Sequence, residues 1–333
     1  MTSRDLEKAR RLLCALQDHI RDALVGARKK QAGSFARVAA VTAADTIYHI
    51  DRLSEHAILT WFARHWPKEW PVEVVMEGLE EEKATTFPRG TPVSATVLKC
   101  ILDPIDGTRN IMYDKRSAWI LGGLAPQRGT KTNLDDLFVA AMTEIPTSKQ
   151  WRSDQLSAVR GCGVRAEAVD VFSGERTKLP VKPSNARNCR GGFAAISRFF
   201  PEGKTLLASI EEHLWDELYG LGRQAGPLVF DDQYICTGGQ LYELIIGHDR
   251  FLADLRPLVF RKLKLNSALV CHPYDICTVL IAREAGCVIE APLGGKLDQP
   301  LDTTSAVAWA GYANPALARH IRPVLHRLIK EAL

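Results

Sequence analysis

The sequence predicts a layered α/β protein in two parts, and three observations carry that prediction. Amphipathic helical stretches alternate with short apolar runs of β type along the chain. The 333 residues suffice for two domains of ordinary size or one large one. A shift to Pro, Asn, Arg and Gly over 180–192 divides the chain into an N-terminal α+β domain at 1–183 and a C-terminal α/β domain at 184–333.

Residues 3–30 form an amphipathic helix with Leu6, Leu12, Leu13, Leu16, Ile20 and Leu24 on one side. A loop over 31–41 follows, and Thr42 opens a second helix with Asp45 in capping-box register. That helix carries Ile47, Ile50, Leu53, Ile58 and Trp61 and stops before Pro67. Val72–Met76 is a short strand ending at Glu77-Gly78, ahead of the acidic run Glu80-Glu81-Glu82. Further strands fall at Trp119–Leu124 and Phe138–Ile145, and antiparallel pairing through Gly-rich turns is expected in the region that follows. In the second half, Phe193–Ser197 is a strand, 202–220 a helix, and Tyr234–Leu241 leads into a helix through Ile246. His272-Pro273-Tyr274-Asp275 starts a last helix with Asp275 in its first turn and Gly286 at its end, and Val288–Glu290 returns as a strand.

Composition excludes several classes. The residues are 46% hydrophobic and 25% charged, the balance of a soluble globular protein. A net charge of +4, spread along the chain, gives no nucleic-acid footprint. No apolar run approaches the roughly 18 residues of a membrane span, and the charged N-terminus lacks a secretory apolar region. Eight scattered cysteines without a Cys-x-x-Cys pair read as buried, reduced thiols in a cytoplasmic protein.

The chemistry centres on Cys100-Ile101-Leu102-Asp103-Pro104-Ile105-Asp106-Gly107-Thr108. An apolar run of the kind that ends a buried strand stops at Asp103, and a turn fixed by Pro104 carries a second acid, Asp106. Two carboxylates about 4 Å apart at an effective dielectric of about 20 repel by about 4 kcal/mol. A cation between them turns that cost into attraction, and hard oxygen ligands suit Mg²⁺. The amides of Gly107 and Thr108 then offer an anion-binding nest beside the metal. Read alone, the string is also a strand followed by an Asp-Pro turn with Asp106 as a local cap.

Asp103-Pro104-Ile105-Asp106-Gly107-Thr108 resembles the Asp-Pro-(Ile/Leu)-Asp-Gly-Thr signature of the inositol monophosphatase family of Mg²⁺-dependent, lithium-sensitive sugar phosphatases. A second string agrees: Tyr274-Asp275, then Glu284-Ala285-Gly286-Cys287, is similar to the family's Trp-Asp…Glu-Ala-Gly-Gly, with Tyr274 for Trp and Cys287 for the last Gly. Haloacid dehalogenase-like phosphatases carry Asp-x-Asp-Gly-Thr with a nucleophilic first Asp; here the acids are one residue further apart, so that reading fails on spacing.

The resemblance spans about residues 35–312 and implies a layered αβαβα sandwich of the sugar-phosphatase type. It implies two or three Mg²⁺ held by Glu77, Asp103, the carbonyl of Ile105, Asp106 and Asp275. Glu77 stands where the family has Gly-Glu-Glu, with Met76 and Gly78 departing from it and Glu80 as the other acid in reach. Val41-Thr42-Ala43-Ala44-Asp45 matches a Val-Thr-x-x-Asp string that supplies an acid near the metals, so Asp45 reads as a capping acid on local grounds and as a site residue by the resemblance, a first-turn carboxylate being placed for either role. Thr108 would orient the attacking water, with Asp45 or Glu77 accepting its proton. Thr237 and Gly238 match a segment packed over the substrate, while Thr237 also reads as a plain helix N-cap. Arg109, beside the phosphate nest, is either solvated or paired with a second anionic group. The residues 264–270 offer Asn266 and Ser267 but no acid where inositol-specific members carry Glu, which argues against a narrow inositol phosphatase. Fructose 1,6-bisphosphatase and 3'(2'),5'-bisphosphate nucleotidase activities are the alternatives, with a catalytically silent scaffold as the reading from another class. The implied partners are a small phosphorylated substrate and a second copy in a homodimer, with no nucleic acid polymer and no membrane. His272 is a structural or rim residue, since imidazole does not suit an all-oxygen Mg²⁺ site.

Overall fold

The computed structural model describes residues 1–30, 38–41, 46–79, 84–222, 228–266 and 269–333, and for 29–30, 38–41 and 46–53 the backbone path alone. Helix α1 (Ser3–Lys30) has the predicted bounds. Its stripe Leu13, Leu16, Ile20 and Leu24 is buried, which is what holds so long a helix in place. Strand β1 (Val38–Val41) pairs antiparallel with β2 (Thr46–Tyr48), and α2 (His49–His65) follows. The helix predicted from Thr42 therefore begins at His49. The β-branched and aromatic run Thr46-Ile47-Tyr48 takes a ladder instead, overriding the local capping pattern. Asp45, Glu80 and Ser267 lie outside the described residues.

The first sheet is built from β3 (Val72–Met76), β4 (Thr85–Phe87), β5 (Leu98–Asp106), β6 (Ala118–Pro126), β7 (Val139–Ile145), β8 (Arg152–Val159), β9 (Val164–Asp170) and β10 (Arg176–Lys178), with short α3 (Thr108–Met112) after β5. Its order is β10-β9-β8-β7-β6-β5-β3-β4. All neighbours are antiparallel except β3 and β5, which run parallel. Gly161 and Gly163, both at positive φ, make the turn between β8 and β9.

The second half holds β11 (Gly192–Ile196), α4 (Lys204–Tyr219), β12 (Val229–Phe230), α5 (Thr237–Ile246), β13 (Asp249–Asp254), α6 (Arg256–Leu263), α7 (Val279–Glu284), β14 (Val288–Glu290), β15 (Trp309–Tyr312) and α8 (Pro315–Ala332). The sheet order is β12-β11-β13-β15-β14; the first three strands are parallel and the last two antiparallel to their neighbours. Helix α7 starts at Val279, later than predicted: Pro273–Thr278 is a run of turns, and Gly286 at φ 99° ends the helix.

The elements stack in five layers, α1 and α2, first sheet, α5 and α7, second sheet, α4 and α8. The first sheet is apolar on both faces because helices cover both. Cys100, Leu102, Ile120 and Leu124 face α1 and α2, whereas Ile101, Trp119, Leu121 and Met142 face the middle helices. All eight cysteines are unpaired and all but Cys162 are buried. Among the described residues no helix is long and apolar enough to cross a membrane.

Candidate metal centre

The two acids of the central motif face the same way because the strand is irregular where they sit. Side chains on a regular strand alternate faces, so residues three apart point in opposite directions. Here Asp103 lies opposite Leu121 but Asp106 lies opposite Trp119, so three steps on β5 match two on β6. The register shift falls at Pro104-Ile105, where proline has no N–H to give a ladder. The strand that the sequence ends at Asp103 thus continues to Asp106, and both carboxylates face the middle layer.

Asp275 comes to them from the turn before α7. Its Oδ2 accepts from the amide of His272 at 2.6 Å, and its own amide donates to the His272 carbonyl at 3.1 Å. The His272 ring stacks on Tyr274 and its Nδ1 is 3.1 Å from the Tyr274 hydroxyl and 3.5 Å from Asp275 Oδ2. His272 therefore holds the loop carrying the acid. Oxygens of Asp103, Asp106 and Asp275 lie within 4.8 Å of one another. Glu77, half-buried in the turn after β3, stands at the edge of this group; its amide donates to the Leu102 carbonyl at 3.4 Å.

Helix α5 closes the other side. Gly238 N–H donates to Asp106 Oδ2 at 2.5 Å, and the Thr237 amide bonds the same carboxylate. Cys236 is the N-cap and Thr237 the first helical residue, so the N-cap predicted at Thr237 falls one position earlier. Below, Gly107 at φ 93° turns the chain into α3. The Thr108 hydroxyl donates to the Ile105 carbonyl at 2.9 Å, beside the acids. Arg109 is exposed on α3.

Like charge in a buried place sets the electrostatics. Burial raises the pKa of Asp103 well above the usual carboxylate range, and the charges of Glu77, Asp106 and Asp275 push it the same way. Burial and then Asp275 raise Asp106, against the pull of the Gly238 and Thr237 amides and of Arg256. Asp103 is 1% exposed; its Oδ1 accepts from the Ile105 amide at 2.9 Å, while its Oδ2 has no hydrogen-bond partner among the described residues. A buried acceptor left in this way costs about 1–3 kcal/mol, more if charged. A hard cation with an all-oxygen shell would satisfy it, and the donor set fits Mg²⁺.

The structure thus gathers Asp103, Ile105, Asp106, Gly107, Thr108, Thr237, Gly238 and Asp275 in one place, with Glu77 at its edge. Sequence reasoning missed Asp254 and Arg256, a buried pair at the end of β13 whose arginine charge is felt by Asp106 and Asp275. The signal was an acid and a base two residues apart at a strand end. Two open cavities of about 330 and 380 Å³ lie apart from the cluster, one beneath α5 near Ser117 and Glu144, the other along α1 near Arg10 and Arg176.

The fold is a layered α/β sandwich of the sugar-phosphatase type. The particular likenesses are with SuhB, an extragenic suppressor protein of Bartonella henselae (TM-score 0.64, 16% identity, 97% of this chain and 98% of that one), and with Leishmania major fructose-1,6-bisphosphatase in its holo form (0.64, 13%, 97% and 92%). Mycobacterium tuberculosis SuhB is also similar (0.58, 14%, 98% and 97%). No family model and no curated protein matches the sequence. The chain has the fold that the motif resemblance to the inositol monophosphatase family implied.

Proposed function

We propose that the protein is a divalent-metal-dependent phosphatase that releases inorganic phosphate from a small phosphorylated sugar, polyol or nucleotide. The observation that carries this reading is the meeting of Asp103, Asp106 and Asp275 within 4.8 Å, with Asp103 Oδ2 lacking a hydrogen-bond partner among the described residues. Phosphate monoester hydrolysis is among the slowest uncatalysed reactions, so a site for it needs strong charge stabilisation.

Two or three Mg²⁺ would be held by Glu77, Asp103, the Ile105 carbonyl, Asp106 and Asp275; bound there, they supply a hydroxide at neutral pH and neutralise the leaving oxygen. Thr108 orients the attacking water, a role supported by its hydrogen bond to Ile105. Glu77 or Asp45 accepts the proton of that water. The amides of Gly107 and Thr108 receive phosphate oxygens, and Thr237 and Gly238 line the substrate side. The water oxygen attacks phosphorus directly as the ester P–O bond breaks, without a phosphoenzyme. Arg109, exposed at the rim, pairs with a second anionic group where the substrate has one.

The test is phosphate release from a panel of sugar phosphates, bisphosphates and nucleotide 3′-phosphates, with Mg²⁺ and with Mg²⁺ plus Li⁺. The expected result is release that requires Mg²⁺ and falls with Li⁺, from a protein that sediments as a dimer. A bisphosphate as best substrate would favour the bisphosphatase or nucleotidase reading. Silence across the panel from folded, Mg²⁺-bound protein would overturn the proposal in favour of a scaffold.

A further inference from the structure

Tyr234 precedes α5 and is 6% exposed. Its hydroxyl accepts from Trp119 Nε1 at 3.1 Å and donates to the Ser117 carbonyl at 3.0 Å, tying it to β6 and the residue before it. Trp119 is the residue opposite Asp106 in the ladder. The Arg116 guanidinium covers the Tyr234 ring at 4.2 Å, and Gln240 Nε2 of α5 donates to the Tyr234 carbonyl at 3.1 Å.

The ring also limits how close α5 comes. A Cβ on Gly239 would lie 2.4, 2.5 and 2.6 Å from three ring carbons of Tyr234, closer than real contacts allow. A Cβ on Gly238 would lie 2.7 Å from Leu121 Cδ2 and 2.9 Å from Asp106 Oδ2. The first turn of α5 is therefore wedged between a tyrosine and a carboxylate, with a bare backbone toward each. Glycine costs about 1 kcal/mol in a helix relative to alanine, so two in succession at a helix start need a reason. The two close approaches supply one.

We propose that Tyr234 is a positioning residue for the Asp106 carboxylate, acting through the glycine pair Gly238-Gly239 at the start of α5. This rests on the metal-site reading above. The tyrosine is fixed to β6 and to the residue before it by its two hydrogen bonds, α5 is seated against its ring, and the amides of that seated turn aim Asp106. Displacing the ring or crowding the seat turns the carboxylate away from the cation while leaving the acid in place. Partners that orient a ligand from behind typically change metal affinity about 10–100-fold.

The measurement is Mn²⁺ affinity, read from the electron paramagnetic resonance signal of the free ion, with Tm recorded for each variant. Gly239→Ala should weaken binding about tenfold or more and Tyr234→Phe several-fold. The double variant should lose less than the product of the two, because a ring freed from Trp119 and Ser117 can yield to the new methyl group. Ile321→Val, a buried change on α8 far from the site, should lower Tm and leave Mn²⁺ affinity as in the wild type. Folded variants that bind Mn²⁺ like the wild type, or losses that simply multiply, would overturn the proposal. If Gly239→Ala does not fold, Tyr234→Phe decides alone, weakened binding supporting the proposal and unchanged binding overturning it. A wild type that binds no Mn²⁺ overturns both this inference and the metal-site reading; a wild type that binds alongside indifferent variants overturns this inference only.

Discussion

At the end of β13, Asp254 (0% exposed) meets Arg256 through two hydrogen bonds, Nε to Oδ1 at 2.9 Å and Nη2 to Oδ2 at 2.5 Å. The third guanidinium nitrogen donates to the Leu269 carbonyl at 3.0 Å, and the group stacks on Phe199 at 4.4 Å. In the last stretch of β5, three residues before its end, the similarly buried Asp103 meets two more carboxylates and leaves one oxygen without a hydrogen-bond partner among the described residues. Both strands bury charge at the same kind of place. One site closes its hydrogen bonding internally; the other, among the described residues, does not, and on the proposed reading a cation completes it. Matched burial reads as structure, and mismatched burial as a ligand site.

The sharpest way to break the comparison is to open the matched site. Arg256→Leu strands the Asp254 carboxylate and should destabilise the protein by about 3–5 kcal/mol, measured by urea unfolding. Adding Asp254→Asn should recover part of that loss. An Arg256→Leu protein as stable as the wild type would mean the pair is not the internally satisfied one described here.

At the mismatched site the sign reverses. Asp103→Asn removes a raised-pKa carboxylate from among like charges, so metal-free stability should rise, by about 1–3 kcal/mol. Phosphate release should fall more than about a hundredfold, since even a residue behind a ligand commonly matters that much. Saturating Mg²⁺ at about 100 Kd should stabilise the wild type by about 2.7 kcal/mol and leave the variant nearly unmoved. A metal-induced Tm shift of equal size in both proteins would contradict the assignment.

Glu211 sits between the two cases and gives the smallest effect. Burial pushes it up to about 7 from the usual 4.5, although Arg198 Nη1 lies 3.0 Å from its Oε2. The folded state therefore keeps a proton that the unfolded chain releases. Its stabilisation is fully present below about pH 4.5 and is lost as pH rises through about 7. Stability should decline across that window, and Glu211→Gln should flatten the decline. Asp249, also pushed up to about 7 by burial and by Glu243 and Asp232, retains part of the slope. An unchanged profile in Glu211→Gln would place the titration elsewhere.

Elements whose partners lie nearby in sequence, or whose pattern is long, were legible without the structure. The stripe of α1 and the strands β3, β6 and β7 are of this kind, whereas the short edge strands β4 and β10 left no apolar run to read. The starts of α2 and α7 were not, because a local cap at Thr42 and a proline at 273 mark helix starts only if the following residues stay helical. Thr46-Ile47-Tyr48 and the turns of 273–278 do not. The acids were legible through motif resemblance, while the grip of α5 on Asp106 joins residues 132 positions apart and leaves only two adjacent glycines as its trace.

The irregular step in β5 has a further meaning for spacing. Three is an odd separation, and on a pleated ribbon an odd separation divides a pair between two sides. An acid–proline–x–acid string can act as one unit only where the ladder carries a surplus residue, so the spelling records the parity of the backbone beneath it. Deleting Ile105 would restore an even count and keep both acids on one side, yet it would draw Asp106 about one residue, roughly 3.4 Å, along the strand. That is enough to pull it off the α5 amides. The same two letters, one position closer, would spell a different centre.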